Sequence, residues 1–521
     1  MLPIHHWAHN FTVEPDDIDY LVNLLLEEET PLTSQQLALV LVENRLEREK
    51  AVLEERYRDV LMYNPSDSYE VGQKLIFPVL GYSTATVVGQ RQGNNVEYDD
   101  FNVIKVEFEE EETVREFASG FNYKHELSQG DDDVAGAMLG ADSVSSEQIL
   151  EFAGDDIIAT LESHLLETDT LEYVARYWFP RDLILEPNAG HLNLTDAVLD
   201  VMGGGPLSTE SILDQIGGIS DAPHGLQVFS MNYTLNKDQR FAEVGSTDEV
   251  LWYLSRMMPS DLPEISQKLL YPPLDYDRGV LTQEMLALEE EICDELSPLT
   301  AVKNVNETSI TLLYPHRRFG TLPLNAGVRH IFPSARKAKH IWITLVDEQD
   351  GEEYTGWVIP EQRFVYGLGA LYSKYRLPIG AYVTIRKSGE SDRILISFHT
   401  YKAHTEWVRL MQARDKQLQF EDKRRSIGAE YDDLMIIGID DLEAMDAFVD
   451  LARQQNRHLA SLLRIVIPEL GRSTPQGTTH VKTIYSAINV LRRYPPGPIL
   501  ATLRADPDFE NVGGHYWKLS D

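Results

Sequence analysis

Residues 235–254 of this chain, LNKDQRFAEVGSTDEVLWYL, and residues 503–519, LRADPDFENVGGHYWKL, carry the same pattern. Leu235, Asp238, Phe241, Val244 and Gly245 keep the spacing of Leu503, Asp506, Phe509, Val512 and Gly513, and a Trp and a Leu follow in each. A pattern repeated at such distance requires a fold that builds one small unit twice. In the C-terminal copy, TTHVKTIYSAINVLRR puts Val481, Ile484, Ile488 and Leu491 on one helical face behind a Thr cap. YPPGP breaks that helix, and ILATLRADPDF makes a second one that buries Ile499, Leu500 and Leu503. ENVGGHYWKL then reads as strand, Gly turn, strand, with Phe509 and Trp517 pinning the hairpin to the helices.

Helices leading into a two-stranded hairpin are the plan of a winged helix, and the three extra residues upstream lengthen the wing. TPLTSQQL near the N-terminus and GPLSTESIL at 205–213 are also alike. In each, Pro stops one helix and a hydroxyl starts the next, so the N-terminal region is expected to share part of the unit.

With 521 residues the chain is too long for one core and is expected to form three or more domains. It has no run of 18 apolar residues and no basic-then-apolar leader, and Cys293 is its only cysteine. These features predict no membrane span, no signal peptide, no intramolecular disulfide and no thiolate zinc site, hence a cytoplasmic protein. The net charge of −38 is uneven. Residues 308–425 hold 19 Lys and Arg against 12 Asp and Glu, a net of +7, and the remainder carries −45.

The expected organisation is a multidomain α+β chain. Residues 1–60 are a helical, helix-turn-helix-like region. Residues 61–125 are an SH3-like β-barrel, in which Ile104, Val106 and Phe108 alternate with Lys105 and Glu107. An acidic linker (126–150) precedes a winged helix (151–260) and an acidic connector (261–307). The basic β segment (308–425), an acidic helical connector (426–476) and the C-terminal winged helix (477–521) complete the chain.

The repeated units resemble the HARE-type winged helices, the family of the N-terminal domain of the bacterial RNA polymerase delta subunit. The match runs over PLSTESIL…LNKDQRFAEVG…LWYL and LRADPDFENVGGHYWKL. It implies a transcription-associated protein whose winged helices dock on DNA, on RNA polymerase or on other proteins. The helices before the wings are poor in cations, with Lys237 and Arg240 upstream and Arg492, Arg493 and Arg504 downstream, whereas backbone binding needs several per module.

Residues 321–387 resemble a B3-type DNA-binding pseudobarrel in the order of their parts. An early IFP, a strand ending VDEQDG, an aromatic-rich partner strand, GLGALYSKYRLPIG and a returning strand follow one another. The resemblance implies double-stranded DNA as partner, read by two arms of the barrel. VRHIFPSARKAKH would be one arm, offering Arg329, Arg336, Lys337 and Lys339, and PEQRF the other, with Gln362 and Arg363. Arg pairs bidentately with guanine and Gln with adenine, while Lys mostly holds phosphate. Arg317, Arg318, Lys374, Arg376, Arg386 and Lys387 are secondary candidates.

Catalytic readings have little behind them. His5, His6 and His9 cluster near the start, and Asp99, Asp100 and Lys105 loosely follow a nuclease spacing. The chain has no GxxxxGK[ST] loop and no GxSxG elbow. The expectation is a non-enzymatic DNA-binding protein without metal or cofactor. The rival is a protein-interaction scaffold, and a weaker one is RNA binding through the β domains.

Overall fold

The computed structural model describes residues 11–520 apart from 57–59, 81, 82, 96, 99, 109–113, 124, 126–144, 248, 272, 336, 391, 416 and 456. His5, His6, His9, Asp99 and Arg336 therefore lie outside the described residues, as does most of the acidic linker. The architecture is mixed α+β, in two compact units: Met1–Glu186 with Ser220–Tyr233, and Pro187–Ile219 with Thr234–Asp521. Among the described residues no helix is long and apolar enough to cross a membrane.

The first unit opens with α1 (Pro15–Glu28), β1 (Leu32–Thr33) and α2 (Ser34–Arg56). Thr33 starts α2: its Oγ1 accepts from Gln36 N at 3.2 Å, and the Gln36 side chain accepts from Thr33 N at 2.9 Å. A five-stranded sheet follows, built from β2 (Val60–Met62), β3 (Lys74–Phe77), β4 (Ser83–Gln92), β5 (Asn102–Phe108) and β6 (Val114–Ser119) in that spatial order. Ile104, Val106 and Phe108 face its core while Lys105 and Glu107 are exposed. Tyr63 stacks on Phe77 at 4.5 Å and donates its hydroxyl to the Ala118 carbonyl at 2.6 Å, joining the two edges of the sheet. Lys105 pairs with Glu116 at 3.6 Å.

After this insertion the chain resumes with α3 (Ser146–Leu166), β7 (Leu171–Val174) and β8 (Tyr177–Pro180). β1 pairs antiparallel with β8, giving the order β1-β8-β7. The first unit thus holds a complete helix, strand, helix, helix, hairpin module, split by the five-stranded sheet.

Two further modules have the same plan. The second is α4 (Ala189–Val201), β9 (Leu207–Ser208), α5 (Thr209–Ile216), α6 (His224–Lys237), β10 (Phe241–Glu243) and β11 (Leu251–Leu254), with sheet order β10-β11-β9. Residues 224–233 of α6 belong to the first unit, where Leu226 and Phe229 pack with Val174 and Phe179. Then come α7 (Leu262–Leu269), α8 (Gln283–Ile292), β12 (Glu307–Thr311), α9 (Tyr314–Phe319), β13 (Thr321–Pro323), β14 (Ile341–Asp347), β15 (Glu353–Ile359), β16 (Phe364–Tyr366), α10 (Gly369–Lys374), β17 (Tyr382–Lys387) and β18 (Arg393–Ser397). A two-stranded ribbon, β19 (Thr400–Arg414) with β20 (Gln417–Ala429), precedes α11 (Leu442–Gln454). The last module is α12 (Leu459–Gly471), β21 (Thr479–His480), α13 (Val481–Leu491), α14 (Pro496–Ala505), β22 (Phe509–Gly513) and β23 (Tyr516–Leu519), ordered β21-β23-β22.

The Phe and Trp positions of the motif do one job in all three modules, whereas Val244 is buried and Val512 exposed. Phe241 and Phe509 are both 6% exposed and pair in register with Leu254 and Leu519, while Leu171 pairs with Pro180 in the same way. Trp178, Trp252 and Trp517 are buried at the strand that meets the short first strand. The indole N–H of Trp178 donates to Ser34 Oγ at 2.9 Å, and that of Trp252 to Thr209 Oγ1 at 3.0 Å, so each ring is tied to the start of the second helix. The motif glycines serve different needs: a Cβ on Gly245 would meet the Glu249 carbonyl oxygen at 1.9 Å, whereas Gly513 has φ +129°. The cap of α13 is the His480 ring, which accepts from Lys482 N at 3.1 Å, in place of the expected Thr.

The seven-stranded sheet runs in the order β12-β17-β18-β14-β15-β16-β13, antiparallel except for β14 with β18. Leu322, Ile343, Leu345, Val358, Val365 and Ile385 form its core, with Tyr372 of α10 beneath. A buried ionic group fastens the C-terminal module to this region. Arg493 lies 2.6 Å from Asp294 and 2.7 Å from Glu295, and His316 Nε2 is 3.1 Å from Glu295. Burial raises the Glu295 carboxyl, but Arg493 and His316 outweigh it and hold it below its ordinary range.

Candidate nucleic-acid interface

Strand directions decide which candidate residues share a place. β14 begins at Ile341 opposite Val358 near the end of β15, and Ile359 pairs with Phe364 at the start of β16. The long segment 325–340 and the turn 360–363 therefore meet at one end of the sheet. His340, just before β14, feels that turn: burial pushes its imidazole down from the ordinary value, Lys339 adds to this and Glu361 opposes it. β17 runs antiparallel to β14 through β18, so it runs toward the same end, with Lys387 level in register with Ile394 and Leu345.

Local chemistry holds the long segment. Asn325 Oδ1 accepts from Gly327 N at 3.0 Å and Val328 N at 3.1 Å, closing a turn, and Val328, Ile331 and Phe332 anchor it in the core. Arg329 and His330 are left exposed on the outside of that turn. Lys303, Asn304, Asn306, His330 and Lys387 line one cavity of about 300 Å³, and Lys387 N donates to the Asn306 carbonyl at 2.8 Å. Among the described residues no carboxylate pairs with Lys303, Arg329, Lys339 or Lys387. Cations and amides with no internal anion suit a phosphate backbone.

The other candidates are differently placed. Lys337 is on the same segment, where it acts against the burial that raises the Glu243 carboxyl. Gln362 is half-buried in the 360–363 turn, and Arg363, with φ +58°, donates from Nη1 to the Glu295 carbonyl at 2.9 Å. Lys374 sits at the opposite end, held by Asp347 at 3.1 Å, Glu352 at 2.8 Å and Asp350. Arg386, on the other face of β17 from Lys387, is taken by Glu348 and stands 3.7 Å from Glu307. Arg317, Arg318 and Arg376 line a separate cavity. Lys303 and His330 belong to the site without having been singled out in the sequence. Lys303 precedes the basic stretch, and only the fold carries it to Lys387.

The modules expose few cations on the helix that leads into each hairpin. The outer face of α3 carries Glu147, Glu151, Asp155 and Asp156. Arg240, after α6, is held by Asp238 at 2.7 Å and Asn193 at 3.0 Å. In α14, Pro496 to Ala501 are buried on every side. A second basic surface is the ribbon, where Arg424 lies 5.5 Å from the ring of Trp407, itself 65% exposed. Among the described residues no group of three His, Cys, Asp or Glu could hold a metal ion. Comparison with protein families, with curated proteins and with solved structures returns no match.

Proposed function

We propose that this chain binds double-stranded DNA through the end of the seven-stranded sheet that carries Arg329, Lys339, Lys387 and Lys303. The observation that carries the reading is that Lys303 and Lys387 line one cavity with His330, next to the exposed Arg329, and that none of these three cations has a carboxylate partner among the described residues. Just before the segment that carries Arg329, Leu324 N donates to the Arg363 carbonyl at 2.8 Å, which ties that segment to the turn offering Gln362 and Arg363. The order strand, helix, four strands, helix, two strands in an open seven-stranded sheet fits a B3-like pseudobarrel. In this reading Arg329 and Gln362 meet base edges, and Lys387, Lys303 and Lys339 hold phosphates. The five-stranded sheet is SH3-like and the three modules are winged helices with a mainly structural role, in a non-catalytic, transcription-associated protein.

A second reading, a scaffold for other proteins, draws on the acidic outer face of α3, which repels DNA and suits a basic protein partner. Selection from a random duplex pool with the full-length chain tests the first reading. An enriched motif is expected, and its preference should weaken in Arg329→Ala. A pool that returns no enrichment at low salt refutes DNA reading and leaves the scaffold.

A further inference from the structure

Away from the proposed DNA end, α9, the turn 376–379, the ribbon and residues 436–442 enclose a cavity of about 420 Å³. Its floor is aliphatic, with Leu377, Val408, Leu410, Ile427, Ile436 and Ile437 among the lining side chains. Its rim holds four arginines. Two have counter-charges: Arg318 donates two hydrogen bonds to Asp446, each at 2.5 Å, and Arg425 pairs with Asp440.

Arg317 is different. It is half-buried, and its Nε donates to the Leu377 carbonyl at 2.6 Å, yet no carboxylate pairs with it among the described residues. Burial pushes its guanidinium down from the ordinary value, opposed only by the Tyr372 hydroxyl. Arg376, on the same rim, is exposed with φ +50° and also has no carboxylate partner among the described residues. Taking a cation partly out of water without an anion is unfavourable, and the guanidinium fork matches a carboxylate or phosphate head. Water can solvate the rim, but it gains nothing from the aliphatic floor. Among the described residues Tyr314 is the one aromatic ring in the lining, and its hydroxyl is engaged by Arg318 at 2.8 Å.

We propose that this cavity binds a small amphipathic anion, one carboxylate or phosphate head on an aliphatic body of about eight to ten carbons. Arg317 and Arg376 hold the head, and the Leu, Val and Ile floor takes the body. The site is separate from the DNA end and does not depend on it.

Calorimetry and thermal unfolding of the full-length chain with octanoate, octyl phosphate, octanol and acetate test the proposal. Octanoate or octyl phosphate should bind and raise the unfolding temperature, and whichever binds more tightly identifies the head. Octanol and acetate should each bind at least about tenfold more weakly, since each lacks one half of the recognition. Arg317→Met should leave the unliganded protein as stable as before or more so, because an uncompensated charge is removed, while binding drops about tenfold or more. Arg376→Ala, at an exposed position, should fold normally and weaken binding, and it carries the test should Arg317→Met fail to fold. Equal binding of octanol and octanoate, undiminished binding by both variants, or no binding of either anion overturns the proposal. So does binding confined to peptides that end in an aliphatic residue.

Discussion

The turn that joins β14 to β15 and the opposite end of the same sheet use their cations in contrasting ways. Around the turn, Asp347, Asp350 and Glu352 converge on Lys374, and Glu348 takes Arg386. On the segments that meet the end of β17 and the start of β14, Lys303, Arg329, Lys339 and Lys387 have no such partners among the described residues. A count of basic residues along the chain treats the two ends alike. What can meet a polyanion is only the charge that the fold leaves without an internal partner, and that is a property of strand direction and face. Arg386 and Lys387 show it in two adjacent residues, one paired with Glu348 and one without a carboxylate partner among the described residues, because successive side chains of a strand point to opposite faces.

The contrast predicts effects of different kind and size. The most deeply committed cation is Arg493, buried between Asp294 and Glu295. Arg493→Ala should lower the unfolding free energy by about 3–5 kcal/mol, because buried Asp294 is left without its counter-ion and Glu295 keeps only His316. Denaturant titration of the purified variant checks this, and a loss near zero would show that the cluster is hydrated rather than dry. Arg329→Ala should leave stability unchanged and reduce the preference for a selected site over random DNA by about 1–3 kcal/mol, if Arg329 pairs with guanine. Competition binding with both duplexes checks it.

A smaller effect concerns pH. Lys374 holds the Asp350 and Glu352 carboxyls below their ordinary values, with help from the Glu352 backbone N–H for the first and the Tyr354 hydroxyl for the second. Their contribution is therefore complete above the ordinary carboxylate range and is lost as pH falls through the lowered folded values. Lys374→Met should flatten stability across that acidic window and leave DNA affinity at neutral pH unchanged. Unfolding midpoints between neutral and acidic pH decide it.

Two of the three modules are legible in the sequence because Asp238 and Asp506, Phe241 and Phe509, and Gly245 and Gly513 keep their identities. The complete N-terminal copy is not. Thr168, Leu171 and Ala175 stand where the others have Asp, Phe and Gly, and the five-stranded sheet separates α2 from α3. The geometry survives the substitutions: Leu171 N donates to the Thr168 carbonyl at 3.4 Å, as Phe509 N does to Asp506 at 3.2 Å. A backbone turn and a buried side chain need a shape and a volume more than one residue type. The Trp tie, from Trp178 to Ser34, spans residues too distant for any local pattern to reveal.

The candidate arms are legible as segments, since IFP and PEQRF sit where turns and strand ends are expected, and the fold brings them together. Which of their cations is free is not legible. It depends on groups such as Glu243 near Lys337 and the Glu295 carbonyl for Arg363, both remote in sequence.

The neighbouring pair on β17 gives the most direct test of the account. DNA affinity of the full-length chain is measured across a range of salt concentrations for the wild type, Arg386→Ala and Lys387→Ala. A phosphate contact at Lys387 predicts a log–log slope shallower by roughly one unit in Lys387→Ala, with affinity lost equally on selected and random duplexes. Arg386→Ala should keep the wild-type slope. Equal changes in the two variants, or a wild type that binds independently of salt, would contradict the claim that unpaired cations at this end of the sheet form the DNA-binding surface.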